Sequence, residues 1–369
     1  MRAYHGAVNG LRRLARGPRI KGVPMGRGIV VSSVCALLVL QFQIPVSTQA
    51  GAGVVQVTPL GSHAGELCFA DRAIVFEDPK GVRILYDPGR TVDESDPRLG
   101  TIDVVLLSHV HADHLGDVRP SGGGGTCAAP TFGAANANSN TASVAAAKRA
   151  AVFLPRESAT FLGNRIRNIS GAATPACLTS GSDNETIVPV PTTCTAALSP
   201  GAGGRLVTRS GSGSLRIVAV PAVHGNDIPA QYLDAPGVVA GVAASAGTAA
   251  GFVITFSNGL RAYLSGDTGV TAEMDIIGRL YRPQLAVINV ADPAVMGAEQ
   301  AAFAVQQYIR PATVLLTHVN EQATNGGRVV SGTRADRFSR LIAGSSDVVM
   351  AVSGVTRSFD GDGRCTGCR

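Results

Sequence analysis

Four groups able to ligate a metal stand within six residues of one another in Ser108-His109-Val110-His111-Ala112-Asp113-His114-Leu115-Gly116-Asp117. Neutral imidazole and carboxylate are good donors to a borderline divalent ion such as zinc. Residues two apart in an extended segment leave on the same side, so His109 and His111 aim at one point. Asp113 and His114 turn toward a second. Three solvated loop histidines are the bland alternative, and the density of donors weighs against it. The chain has seven histidines. His5 lies near the N-terminus and His63 in Gly61-Ser62-His63-Ala64-Gly65. The remaining two, with one more acid, complete a pattern: His224 in Pro221-Ala222-Val223-His224-Gly225-Asn226-Asp227, Asp267 in Ser265-Gly266-Asp267-Thr268-Gly269, and His318 in Leu315-Leu316-Thr317-His318-Val319-Asn320. Each alone is more often structural. Each follows an apolar run, and together after the His cluster they reinforce one another as a two-ion donor set.

The elements that must carry these donors are short apolar or alternating runs bounded by Gly, Pro and Asp, which read as strands at 54–58, 73–77, 83–86, 104–108, 151–154, 215–220, 252–256, 261–264, 285–290, 313–317 and 348–352. Asn258-Gly259 between two of them signals a hairpin. Helical spacing appears at 298–308 and 334–342, and a short helix follows the run at 151–154. Residues 119–150 form a Gly, Ala, Ser and Asn tract that reads as a surface loop or lid, and 171–213 is low in structure. Strands alternating with helices in two β-rich halves predict an α/β protein with packed sheets and helices outside.

With 369 residues, 45% hydrophobic and 16% charged, long disorder is not expected over most of the chain. The pI of 9.1 invites a nucleic-acid reading, but the charge is unevenly placed. The first fifty residues hold Arg2, Arg12, Arg13, Arg16, Arg19, Lys21 and Arg27 and no acid; without them 25 basic residues face 26 acidic ones, turning +6 into −1. A basic segment, a twelve-residue apolar run at 29–40 and a polar stretch ending in Ser47-Thr48-Gln49-Ala50 read as a secretory signal cleaved near Ala50. The run is too short to span a bilayer, so no stable membrane span is expected after cleavage, and translation from Met25 would give a leader of ordinary length. Cys68, Cys127, Cys177, Cys194, Cys365 and Cys368 remain, an even number that suits an oxidising compartment. Cys177 with Cys194 is the first pair expected. Cys365-x-x-Cys368 reads as a structural bridge or as two ends pairing elsewhere, and six cysteines allow 15 connectivities. The expected organisation is a leader at 1–50, a single domain at 51–360 with a long irregular insertion at 119–205, and a tail at 361–369.

His109-x-His111-x-Asp113-His114, then His224, Asp267 and His318 in that order, resembles the metallo-β-lactamase superfamily over about residues 54–355. The resemblance implies a four-layer αβ/βα sandwich, two mixed sheets with helices on the outer faces, and a dinuclear site at the edge of the sheets. His109, His111 and His224 would bind one ion, Asp113, His114 and His318 the second, and Asp267 would bridge both. Ile84-Leu85-Tyr86-Asp87-Pro88-Gly89, Gly61-Ser62-His63 and Met296-Gly297-Ala298-Glu299-Gln300-Ala301-Ala302 are similar to the lactonase-like branch, which includes ascorbate-6-phosphate lactonase and N-acyl-phosphatidylethanolamine phospholipase D.

Two divalent ions, zinc first and manganese or iron as alternatives, would share a hydroxide. With Asp113, Asp267 and the hydroxide counted, such a centre keeps a formal charge of about +1, which favours a small phosphodiester, lactone or ester, above all an anionic one. Asp113 is the candidate for orienting the nucleophile and passing on its proton. Asn226 and Tyr263 are candidate oxyanion donors, with ordinary hydrogen bonding the stronger expectation. Asp87 and Asp117 are candidate partners of the ligand imidazoles, and His63 a candidate pocket residue. A true β-lactamase is disfavoured by the bridging Asp267. A nuclease is disfavoured by export and near-neutral charge. A non-catalytic metal-binding protein is the reading from another class. Oligomeric state leaves no signal.

Overall fold

A computed structural model describes residues 53–136, 138–229 and 243–368; the leader at 1–50 lies outside the described residues. Two sheets dominate, each of eight strands. The first runs Cys365–Thr366, Arg357–Phe359, Val55–Pro59, Ile74–Glu77, Arg83–Tyr86, Val104–Leu106, Ala151–Pro155 and Cys194–Leu198. The second runs Asp347–Met350, Thr313–Thr317, Leu285–Asn289, Arg261–Leu264, Ala250–Thr255, Gly213–Pro221, Arg205–Arg209 and Thr186–Val188. Both are mixed. Antiparallel pairs form on Ile74–Glu77 and Ala250–Thr255, and parallel pairs join Arg83–Tyr86 to Val104–Leu106 and Arg261–Leu264 to Leu285–Asn289 and onward.

Alternation along the first sheet explains the layers. Ile74, Phe76, Ile84, Tyr86, Val104, Leu106 and Phe153 join the large core shared with the second sheet. Their neighbours Val75, Leu85, Val105, Val152 and Leu154 join a separate core with Ala142, Val144, Ala145, Leu162 and Ile166. Successive side chains on a strand face opposite ways, so the first group meets the other sheet and the second meets helices Asn140–Lys148 and Ala159–Ser170. Strands covered on both faces read as unbroken apolar runs. Helices Glu273–Tyr281, Ala298–Phe303 and Arg334–Leu341 contribute Met274, Ile277, Ala301 and Phe338 to the large core. The four-layer expectation is met.

The tract at 119–205 departs from the reading as an irregular insertion. Val118–Gly125 and Pro130–Ala135 form a hairpin, and Asn140–Lys148 is a helix capped by the Ser139 side chain on the Ala142 amide. Ala151–Pro155 and Cys194–Leu198 extend the first sheet in parallel, while Thr186–Val188 closes the edge of the second. Small residues hid the hairpin and the helix Asn140–Lys148, because Ala and Gly carry little hydrophobic contrast, whereas Ala151–Pro155 is the strand read at 151–154. The tail is likewise partly built in: Cys365–Thr366 pairs with Arg357–Phe359. Disulfides join Cys68 to Cys127, Cys177 to Cys194 and Cys365 to Cys368. No described helix is long and apolar enough to cross a membrane.

Gly116 locks the turn that follows the His cluster onto this frame. It ends the short helix Ala112–Leu115 at φ 77°, in the left-handed region. A Cβ there would run into the Gly89 carbonyl oxygen and come within 2.7 Å of Asn140 Cβ. Asn140 Nδ2 donates to that same Gly89 oxygen at 2.8 Å, and the Asn140 amide to Gly116 O at 2.9 Å. Strain at φ and overpacking add. Gly116→Ala is therefore expected to destabilise the chain by about 2–4 kcal/mol, measured by urea unfolding. A loss below about 0.5 kcal/mol would show that the turn can relax.

Candidate metal centre

All seven donors arrive at the same end of the two sheets. Arg83–Tyr86 and Val104–Leu106 run parallel and deliver Asp87 and then His109, while Arg261–Leu264, Leu285–Asn289 and Thr313–Thr317 run parallel and deliver Asp267, Asn289 and His318. Gly213–Pro221 ends at this side too and leads to His224. The Ala250 amide donates to Ser108 O at 3.0 Å and ties the sheets together beside the site. Carboxyl ends of parallel strands are where such sheets present ligands.

The donors fall into two groups whose ligand atoms all lie within 4.8 Å of one another: His109, His111 and His224, and Asp113, His114, Asp267 and His318. His224 Nε2 lies 3.1 Å from His111 Nδ1, and His318 Nε2 lies 3.1 Å from His114 Nε2. Ligands about 2.0–2.1 Å from a tetrahedral ion stand about 3.3 Å apart, so these are separations that a shared ion would give. Asp267 stands between the groups. Its Oδ2 is 3.7 Å from His224 Nε2 and 4.0 Å from His109 Nε2. Its Oδ1 is 3.2 Å from His114 Nε2 and 3.3 Å from His318 Nε2. Asp113 Oδ2 lies 3.3 Å from His318 Nε2.

His109 Nε2 is buried and has no hydrogen-bond partner. Its other nitrogen meets Ser108 Oγ at 3.0 Å. A buried nitrogen without a hydrogen-bond partner, 4.0 Å from a carboxylate oxygen, fits a donor to a cation held between the two. The charge states fit as well. Burial, then the neighbouring imidazoles, holds His109 well below its ordinary pKa and lowers His111, while burial also lowers His224. These three present the neutral form that metals bind. Burial would raise Asp113 and Asp267, but the facing imidazoles overcome it and hold both carboxyls well below their usual range, with Arg72 adding to the effect on Asp113.

His114 is the exception. Burial pushes it down, yet Asp267, Asp113 and Asp87 together raise it well above its ordinary value. The metal-free side chain thus keeps a proton that an incoming ion must displace. Zinc uptake by metal-free protein at pH 6 is expected to release protons, the one on His114 among them. Because the raised pKa favours the protonated, metal-free form, apparent affinity should rise with pH. Calorimetry in buffers of different ionisation heat checks this, and uptake without proton release would contradict it.

The remaining candidates separate. Asp87, 1% exposed, accepts from His114 Nδ1 at 2.7 Å and from Ser108 N and Oγ at 2.8 and 2.7 Å, so it orients a donor imidazole. Asp117 does not: it pairs with Arg165 at 3.7 Å. Asn226 accepts from the Val110 amide at 2.9 Å and donates to Ala246 O at 3.0 Å, which fixes the backbone between His109 and His111 and leaves no oxyanion role. Tyr263 is fully buried and stands opposite Val253, whereas the alternate positions Phe252 and Phe256 meet Tyr86 and Phe76 of the first sheet, so Tyr263 faces the helix side of the second sheet. His63 meets Ser62 Oγ at 2.9 Å and groups with Cys68 and Cys127, not with the two donor groups.

Three residues escaped sequence reasoning. Asn289 Nδ2 donates to Asp267 Oδ1 at 2.8 Å. Arg72 Nη2 donates to Asp113 Oδ2 at 3.3 Å and to Asn320 Oδ1. Asp87, His318 and Asn320 all hold positive φ of 38°, 49° and 50°, a cost that non-glycine residues pay where surrounding structure fixes them. A polar residue closing the buried run Leu285–Asn289 was the available signal for Asn289; Arg72 and Asn320 offered none.

Comparison with known proteins agrees with this frame. The beta-lactamase superfamily domain matches residues 82–319, and the chain belongs to that superfamily, in its metallo-β-lactamase form. A metal-dependent hydrolase of Cupriavidus taiwanensis is 25% identical over 295 residues, covering 78% of this chain and 85% of the relative. One from Methanoregula boonei is 32% identical over 151 residues, covering 40% of this chain and 60% of the relative. A metallo hydrolase from the archaeon Ignicoccus hospitalis superposes with a TM-score of 0.50 at 20% identity, covering 83% of this chain and 99% of the other, and shows the same fold. The chain is a metal-dependent hydrolase.

Proposed function

We propose that the chain is an exported hydrolase that holds two divalent ions, zinc foremost, and acts on a small ester, lactone or phosphodiester. The observation that carries this is Asp267, whose two oxygens face different donor groups. One carboxylate placed between two sets of imidazoles is the arrangement a bridging ligand requires. When bound, such ions polarise an ester or phosphoryl oxygen and make water nucleophilic near neutral pH. The chain's own residues do the rest. His109, His111 and His224 would hold one ion, and Asp113, His114 and His318 the other. Asp87 fixes His114 in the tautomer that leaves Nε2 free toward the centre. Asn289 keeps Asp267 Oδ1 in place. Asp113 is the more exposed carboxylate, at 26% against 4% for Asp267, and so is the acid placed to exchange a proton with a leaving group. Export rests on the leader at 1–50 and on the disulfides of the folded body.

The test is elemental analysis of the chain from Gly51, purified from an oxidising compartment, beside assays on chromogenic ester, lactone, phosphodiester and cephalosporin substrates. About two metal ions per chain with turnover of one of the first three classes is the expected result. One ion or none, without turnover, would overturn the dinuclear hydrolase, and cephalosporin turnover alone would point to a β-lactamase.

A further inference from the structure

Against the Asp113 side of the centre lies a cavity of about 240 Å³ walled by Phe69, Arg72, Arg90, Asp113, Phe132 and Asn320. That is room for about eight waters, enough for a small functional group and its link to the reacting bond. Two guanidiniums, of Arg72 and Arg90, and one carboxylate, of Asp113, line it; Asp113 answers to Arg72 and His318, and Asp117 is within electrostatic reach of Arg90.

The cationic walls are pre-set. Arg72, 4% exposed, donates through Nη1 to Phe69 O at 3.0 Å and Asp71 O at 2.9 Å, and through Nη2 to Asp113 and Asn320. The Arg90 guanidinium lies over the Phe132 ring at 4.5 Å, a stacking that orients its plane. Gly89 allows the approach: at φ 60°, a Cβ there would come within 2.8 Å of Asp113 O and 3.0 Å of Arg72 Cβ. The hairpin that carries Phe132 is held to the Phe69 wall by the Cys68–Cys127 disulfide and by the Phe69 amide on Cys127 O at 3.0 Å. Aromatic walls exclude water and strengthen the field of both arginines.

We infer that this cavity recognises a carboxylate or phosphate on the non-reacting end of the substrate, so that the enzyme selects small esters or lactones carrying a second, unreactive anion. The inference rests on the hydrolase reading of the adjoining centre. Planar guanidinium matches either anion in a two-point fork. Binding energy from such a remote group positions the bond to be broken.

The experiment compares matched chromogenic esters ending in a methyl, a carboxylate or a phosphate, on zinc-loaded protein and its Arg90→Met and Arg90→Lys variants. The parent should prefer one anionic ester by at least about tenfold in kcat/KM, and the better anion names the group. Arg90→Met should cut that preference at least about tenfold, mainly through KM, and Arg90→Lys should restore part of it. No anionic preference, or one that Arg90→Met leaves intact, overturns the inference. Should no ester turn over, the hydrolase reading fails separately. Calorimetric titration of the loaded protein with succinate and with inorganic phosphate then decides the subsite: binding weakened at least about tenfold by Arg90→Met upholds it, and binding indifferent to the change overturns it.

Discussion

Asp267→Ala should lower kcat/KM on the preferred substrate by at least about a thousandfold and leave the chain with at most about one tightly held metal ion. The carboxylate is 3% exposed and reaches imidazoles of both donor groups. Its removal takes away the charge placed against both donor groups, and among the described residues no other carboxylate pairs with imidazoles of both. The side chain also accepts from Asn289 Nδ2, and Asn289 Oδ1 is already without a partner, so the variant strands a buried amide. A stability loss of about 1–3 kcal/mol is expected beside the loss of activity. Asp267→Asn separates the two effects. It keeps the shape and an acceptor for Asn289 but loses the charge, so it should fold nearly as well as the parent while remaining inactive. Activity within tenfold of the parent in the asparagine variant would remove Asp267 from the bridging role and with it the basis for two ions.

Much of this was legible because the chemistry sits where strands stop. An apolar run followed at once by His or Asp fixes both the element and the donor, and 104–108, 261–264 and 313–317 could be read that way without knowing which strands are neighbours. What depended on neighbours was lost. Asn289 reaches Asp267 only because Leu285–Asn289 lies parallel to Arg261–Leu264 with Leu264 opposite Val287. Arg72 reaches Asp113 and Asn320 across 41 and 248 residues of sequence. Nearness in sequence also misled. Asp117, Asn226 and Tyr263 stand close to donors along the chain, but a four-residue helix turns Asp117 toward Arg165, and strand alternation sends Tyr263 to the helix side of the second sheet. The 119–150 tract failed for a compositional reason. Ala-rich Asn140–Lys148 buries small side chains, which pack well but give a periodic reading little to detect.

Replacing Asp87 is the most severe change available outside the donor set. Its Oδ2 is shared by His114 Nδ1 and Ser108 Oγ, and its Oδ1 takes the Ser108 amide, all within 2.8 Å. The Ser108 hydroxyl also meets His109 Nδ1 at 3.0 Å, so one carboxylate steadies an imidazole from each group. Asp87→Ala leaves a buried amide, a hydroxyl and an imidazole without their acceptor, and about 3–5 kcal/mol of stability should go with them. Asp87→Asn keeps one acceptor oxygen and tests the electrostatic part. Divalent-metal affinity should drop about 10–100-fold, since an imidazole backed by a carboxylate is the more basic ligand. The same change removes one of the three acids that raise His114, so its pKa should come down. The pH above which zinc uptake no longer releases the His114 proton should then be lower than in the parent, so that fewer protons are released between the two. That pairing is the discriminating result. A residue that merely shapes the turn would lower stability alone, whereas one that sets the charge on His114 must weaken the metal and reduce proton release together.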